Sequence, residues 1–311
     1  MERRVGRGLR ILCLDGGGIR GLLMLEVLKK LEGDMGRPIH EMFDLICGTS
    51  TGGLIAVSLC ARKSLSEIAT QYEHIRSAFG GQSAIMSEVK RFATGASHSS
   101  VVADSVLRRY FGDVHMGSLP ASPKCFVLCT AIDMAPAQPY LFRSYDLSPE
   151  AFAAAEFLGT ANVYAHEAVR ATTSAPTFYA PAVVGGQQMV DGAILQNNPA
   201  LLALTEAALL WPGARVDVML SLGTGTLTPK PNNPTGVMGW IRTVLDLAMS
   251  SFVTHKMVAT LLGPRYFRLD AEGCGDVELT EMRVDVLAKM LEDNRRYLQR
   301  QEPLFVRLRA A

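Results

Sequence analysis

Residues 45–53 read Leu-Ile-Cys-Gly-Thr-Ser-Thr-Gly-Gly, and no other segment restricts the fold of this chain as much. An apolar run enters Gly48-x-Ser50-x-Gly52, and a helix of small residues, expected over 53–61, follows. Glycines two before and two after a serine let strand and helix approach closely, with the serine in the sharp turn between them. The hydroxyl then lies at a helix N-terminus, which lowers the cost of an alkoxide-like oxygen. The Thr51 N–H is expected to face the same space. The pentapeptide recurs by chance in proteins; between a strand and a helix it reads as a nucleophile elbow.

A second glycine loop precedes it. Leu9–Leu14 is a short apolar run that ends in Asp15-Gly16-Gly17-Gly18-Ile19-Arg20-Gly21, and a helical pattern over 22–31 follows. This satisfies G-x-G-x-x-G between strand and helix, the setting of a dinucleotide site. Two details oppose that reading. Asp15 would stand beside a pyrophosphate, and Glu41 and Asp44 precede or open the next strand, where the ribose-binding acid should close it. The same geometry suits a different anion, because successive glycines expose backbone N–H groups that hold a developing oxyanion. A tight turn with nothing bound is the remaining alternative.

Further apolar runs at 43–47, 125–132, 189–191 and 216–222 alternate with helical patterns at 65–79, 101–111, 166–171 and 200–210. Such alternation predicts an α/β fold with a mostly parallel sheet. Asn198-Pro199 has the form of an N-cap followed by proline at the first helical position. A polar, Gly/Ser-rich stretch at 80–100 reads as a mobile loop or a poorly ordered helix. After the Pro/Asn-rich turn TPKPNNPTG, helical patterns cover 237–262 and 280–300. The expected division is therefore a core over 9–225 and a C-terminal helical extension over 226–311, packed on the same domain.

The chain has 311 residues and 48% hydrophobic residues, enough for a sizeable core. Lys plus Arg is 31 against 30 for Asp plus Glu, which gives no electrostatic case for nucleic acid. Six cysteines, at 13, 47, 60, 125, 129 and 274, show no zinc or C-x-x-C spacing, and those inside apolar runs are expected as buried free thiols. The apolar run after Arg3, Arg4, Arg7 and Arg10 breaks at Asp15, too short for a signal-peptide core. No stretch is long enough to span a bilayer. The expected location is intracellular, cytoplasmic or peripheral to a membrane.

The serine needs a base. Hydrolases with this elbow usually supply an acid and then a histidine later in the chain. Here only His255 is late enough, and it lies in the helical pattern SSFVTHKMVATLL instead of a loop. Asp191 is the better candidate. Asp191-Gly192-Ala193 follows an apolar strand end, and a carboxylate in a dry site can take the serine proton directly. The alternative for Asp191 is an Asx turn.

Taken in order, DGGGIRG, GTSTG and DGA resemble the patatin-like phospholipase family. The likeness extends to KLEGDMGRPIHEMFDLICGTSTGG, HEAVRATTSAPTFYAP, QNNPALLALTEAALLWP and SLGTG, and covers about residues 9–225. The resemblance implies a three-layer α/β sandwich and a Ser50–Asp191 dyad. It also implies an oxyanion hole at Gly16, Gly17 and Gly18, with Arg20, Thr51, Gly48, Gly52 and Gly192 in support. No cofactor and no metal are implied. Arg20 would either anchor the loop or contact a phosphate. The implied substrate is a glycerophospholipid at a membrane surface; a soluble carboxylesterase or thioesterase with the same dyad is the alternative. Met238, Trp240, Ile241, Leu245, Leu247, Met249, Phe252, Met257 and Leu261 suit a lipid-facing helix, or else ordinary packing.

Overall fold

The expected alternation of strands and helices folds into one sheet between two helical layers. The structure, a computed structural model, describes residues 7–79, 97–176, 178–228 and 234–311. Most of the polar stretch at 80–100, and residues 229–233 of the Pro/Asn turn, lie outside them. The strands are β1 (Leu9–Leu14), β2 (Leu45–Thr49), β3 (Lys124–Ala131), β4 (Gln138–Arg143), β5 (Leu158–Thr160), β6 (Ala182–Val184), β7 (Gln187–Asp191), β8 (Val216–Leu222) and β9 (Tyr266–Leu269). The helices are α1 (Gly21–Met35), α2 (Thr51–Cys60), α3 (Leu65–Phe79), α4 (Ser97–Phe111), α5 (Pro149–Ala153), α6 (Ala165–Thr172), α7 (Ala193–Gln196), α8 (Ala200–Leu210), α9 (Gly236–Ala248), α10 (Phe252–Leu262), α11 (Val284–Arg300) and α12 (Glu302–Ala310).

The sheet order is β5-β4-β3-β2-β1-β8-β9. The run from β3 to β9 is parallel, and β4 joins β3 antiparallel. Side chains alternate across β1: Leu12 and Leu14 face one core, with α1, α2 and α6, while Ile11 and Cys13 face the other, with α8 and α10. Strands buried on both faces carry near-continuous apolar runs, as these do. All six cysteines are free and buried.

Four strands escaped the sequence reading. β4 contains Pro139, which argues against a strand. β5 and β6 have three residues each, too few for a period. β9 corrects the expectation of a purely helical tail: Tyr266–Leu269 pairs with β8 and extends the central sheet. The helical pattern at 237–262 is also two helices, not one. The break comes at Met249–Ser251, where side-chain bonds to another part of the chain replace the helical ladder. A last helix, α12, was not foreseen.

Candidate active site

Strand β3 acts as the ruler that brings the site together. Its residues 126–131 pair with β4 along one edge. Along the other edge, β2 pairs up to Thr49↔Leu128, and β7 arrives antiparallel with Asp191↔Cys129. The end of β2 and the end of β7 therefore meet head to head at consecutive positions on β3. Ser50 is the next residue after β2, so it lies against Asp191.

The elbow has the strain its sequence implies. Ser50 has φ 53 and ψ −124, a conformation that costs a non-glycine residue about 1–3 kcal/mol. The surroundings hold it there. The Ser50 N–H donates to Thr172 Oγ1 at 2.8 Å, and that hydroxyl donates onward to Leu128 O. Side chains at Gly48 and Gly52 would collide with the backbone of Gly52 and of Leu14, so the start of α2 sits directly on the strand ends. Thr51 opens α2 with an N–H that has no intrahelical acceptor, and its hydroxyl bonds the buried Tyr72 hydroxyl. All ten residues of α2 are buried.

Asp191 is buried, and its carboxylate lies against the Ser50 side chain, near enough for that hydroxyl to lower its pKa. Its Oδ1 also accepts the Ala193 N–H at 2.9 Å, so the Asx turn and the serine contact exist together. Burial pushes the Asp191 pKa up to about 6, against the pull of the Ser50 hydroxyl and the Ala193 N–H. At neutral pH such a group is ionised, yet ready to take a proton. Gly192 packs on Leu128 O, where a side chain would not fit.

The glycine loop lies against the serine: a Cβ on Gly16 would stand 3.1 Å from Ser50 Cβ. Its three N–H groups are not equivalent. That of Gly16 donates to Asn197 Oδ1 at 3.0 Å. Those of Gly17 and Gly18 donate to no group among the described residues. This departs from the expectation of three free donors. Arg20 is buried; its Nε donates to Gly17 O at 3.3 Å and its Nη1 to Gly275 O.

Asp15, the residue that argued against a nucleotide, is held by a cation from the tail. Arg268 bonds it with two nitrogens, at 3.0 and 2.7 Å, and Ser251 Oγ donates to it as well. Burial pushes Asp15 upward while Arg268 pulls it down. His255 is on α10, 3.4 Å from the Tyr266 hydroxyl, in the packing role its helical setting implies. Among the described residues, no group of three or more His, Cys, Asp or Glu gathers as a metal site.

Sequence reasoning missed Thr172, Asn197, Thr224 and Arg268. The first three lie inside segments singled out by resemblance, but nothing local assigned them contacts. Arg268 had no signal at all, because its strand was not foreseen.

A family model described as patatin-like phospholipase matches residues 12–204. The chain is 31% identical over 306 residues to calcium-independent phospholipase A2-gamma of Oryctolagus cuniculus, covering 96% of this chain and 39% of that protein. It is 29% identical over 364 residues to phospholipase A I of Arabidopsis thaliana, covering 96% of this chain and 27% of that one. Among solved structures it is similar to VipD from Legionella pneumophila, with a TM-score of 0.45 and 11% identity, over 94% of this chain and 67% of that one. The chain thus spans about two fifths or less of the length of these two curated relatives.

Proposed function

The chain belongs to the patatin-like phospholipase family, and on that premise we propose that it hydrolyses fatty-acyl esters of glycerophospholipids with Ser50 as nucleophile and Asp191 as base. The observation that carries this reading is the buried, proton-ready Asp191 carboxylate on the strained Ser50. Asp191 takes the Ser50 proton as Ser50 Oγ attacks the ester carbonyl. The tetrahedral oxyanion is held by the N–H groups of Gly17 and Gly18, since that of Gly16 is spent on Asn197. Asp191 returns the proton to the leaving lysophospholipid oxygen. It then deprotonates the water that attacks the acyl-enzyme and returns that proton to Ser50 Oγ as the fatty acid leaves. Arg20 anchors the loop through Gly17 O.

The lipid part of the proposal rests on the relatives' names and on α9 and α10. Trp240, Leu247, Phe252 and Leu261 are 59%, 68%, 64% and 61% exposed, and such apolar surface marks an interaction site. The side chains of Met238, Ile241 and Leu245 lie outside the described ones, while Val258 and Leu262 pack into the core. The patch adjoins the site, because the α9–α10 link is bonded by Asn197 and Asp15. No described helix is long and apolar enough to cross a membrane; the proposed contact is peripheral. The rabbit relative is named calcium-independent, and the same is proposed here.

The test is product analysis by mass spectrometry on phosphatidylcholine of defined sn-1 and sn-2 chains, in vesicles, with and without chelator. Release of free fatty acid, unaffected by chelator, supports the reading. Hydrolysis of monomeric esters with none of vesicle lipid moves the chain to the soluble esterases.

A further inference from the structure

The SLGTG segment, residues 221–225, carries the chain out of β8. Its Thr224 is buried and donates its hydroxyl proton to Gly16 O at 2.7 Å. In a planar trans peptide, the carbonyl oxygen and the following N–H point in opposite directions. Holding the Gly16 carbonyl therefore sets the direction of the Gly17 N–H, on the side of the loop away from Thr224. Thr224 is itself held from both sides: the Gly223 N–H bonds Leu269 O at 2.8 Å, and the Gly225 N–H bonds Asp270 Oδ1 at 2.8 Å.

Asn197 closes on the same glycine from its other polar group. Its Oδ1 accepts the Gly16 N–H, and its Nδ2 donates to Met249 O at 2.8 Å. The amide orientation follows, because reversing it would set donor against donor and acceptor against acceptor. Both polar groups of Gly16 are therefore taken up by buried side chains. A run of three glycines otherwise has more conformational freedom than any other tripeptide. Oxyanion stabilisation depends on donors aimed before the reaction begins.

We propose that Thr224 is a positioning residue for ester hydrolysis, aiming the Gly17 N–H at the oxyanion, with Asn197 as the second jaw of the clamp. This rests on the oxyanion role given to the glycine loop under the proposed function. Thr224 acts through the Gly16–Gly17 peptide, whose carbonyl it holds.

The test compares wild type with T224S, T224V and T224A. The readouts are kcat and KM on p-nitrophenyl butyrate, the rate of Ser50 labelling by a fluorophosphonate, and Tm. T224V and T224A are expected to lower kcat and the labelling rate by roughly 10- to 100-fold, less than the 10²–10³ for deleting a whole oxyanion donor. KM should stay within about twofold, and T224S, which keeps the hydroxyl, should stay within about threefold of wild type on all readouts. If T224V does not fold, the T224A and T224S pair decides. A role in packing alone lowers Tm in the valine and alanine variants without the kcat loss, and that result overturns the proposal. So does a T224S variant as impaired as T224A. A wild type that neither hydrolyses the ester nor labels is a different failure: it removes the proposed function itself, and this proposal falls with it.

Discussion

Two buried aspartates lie at strand ends of the same sheet, and the protein treats them in different ways. Asp15, after β1, meets a guanidinium with two hydrogen bonds, and Ser251 adds a third. Asp191, ending β7, meets among the described residues a serine and a backbone N–H. Burial raises both, but among the described residues only Asp15 has a cation to oppose it. A buried carboxylate beside its cation is a structural tie between loop and tail. One without a cation keeps a pKa near working pH, which is what a general base requires.

The largest expected effect bounds this comparison. Ser50→Ala should lower hydrolysis by on the order of a million-fold, the cost of losing a serine nucleophile, with the fold retained. Turnover above about a thousandth of wild type would remove the nucleophile from the scheme. Asp191→Asn comes next: steady-state kinetics should record a loss of roughly two to four orders of magnitude, the range for a positioned general base.

The same aspartate-to-asparagine change should act on stability differently at the two sites. Asp15→Asn breaks a buried pair, but Arg268 keeps Asp270 at 2.6 Å, so the loss recorded by urea unfolding should fall below the about 3–5 kcal/mol of a cation left unpaired. Asp191→Asn removes a carboxylate whose raised pKa disfavours folding once it ionises. The folded pKa is about 6 against 3.8 for an unperturbed aspartate. The proton-bound form is therefore favoured in the folded state, and stability is lost as pH rises through 6. The variant's advantage over wild type should grow from near zero at pH 4 to roughly 3 kcal/mol at pH 8, taking about 1.4 kcal/mol per pKa unit. A variant no more stable than wild type at pH 8 would mean that Asp191 is not the raised group.

The smallest effect tests the histidine. His255→Ala should stay within about tenfold of wild type. The wild-type kcat/KM should fall below pH 6 as Asp191 protonates, and the His255→Ala variant should keep the same profile. Since an imidazole titrates close by, the variant and not the midpoint decides. An inactive His255→Ala with an active Asp191→Asn would reverse the comparison and make this an ordinary Ser–His hydrolase.

Local chemistry alone was enough for the strand–glycine–helix units, the elbow at Ser50 and the turn at Asp191. Apolar runs, small residues and glycine spacing act over a few residues, so they are visible in a string of letters. The limits of β1, α3, α8 and β8 were also legible there. Tertiary structure decided the pairing of Ser50 with Asp191 through β3, since register is set between strands. It decided which glycine N–H groups remain free: the bonds that take up Gly16 come from Asn197 and Thr224, 181 and 208 residues away. It decided that Arg268, 253 residues from Asp15, neutralises that aspartate and not Asp191. The four-residue β9 that carries Arg268 has no period of its own, and it becomes a strand only because β8 offers it an edge.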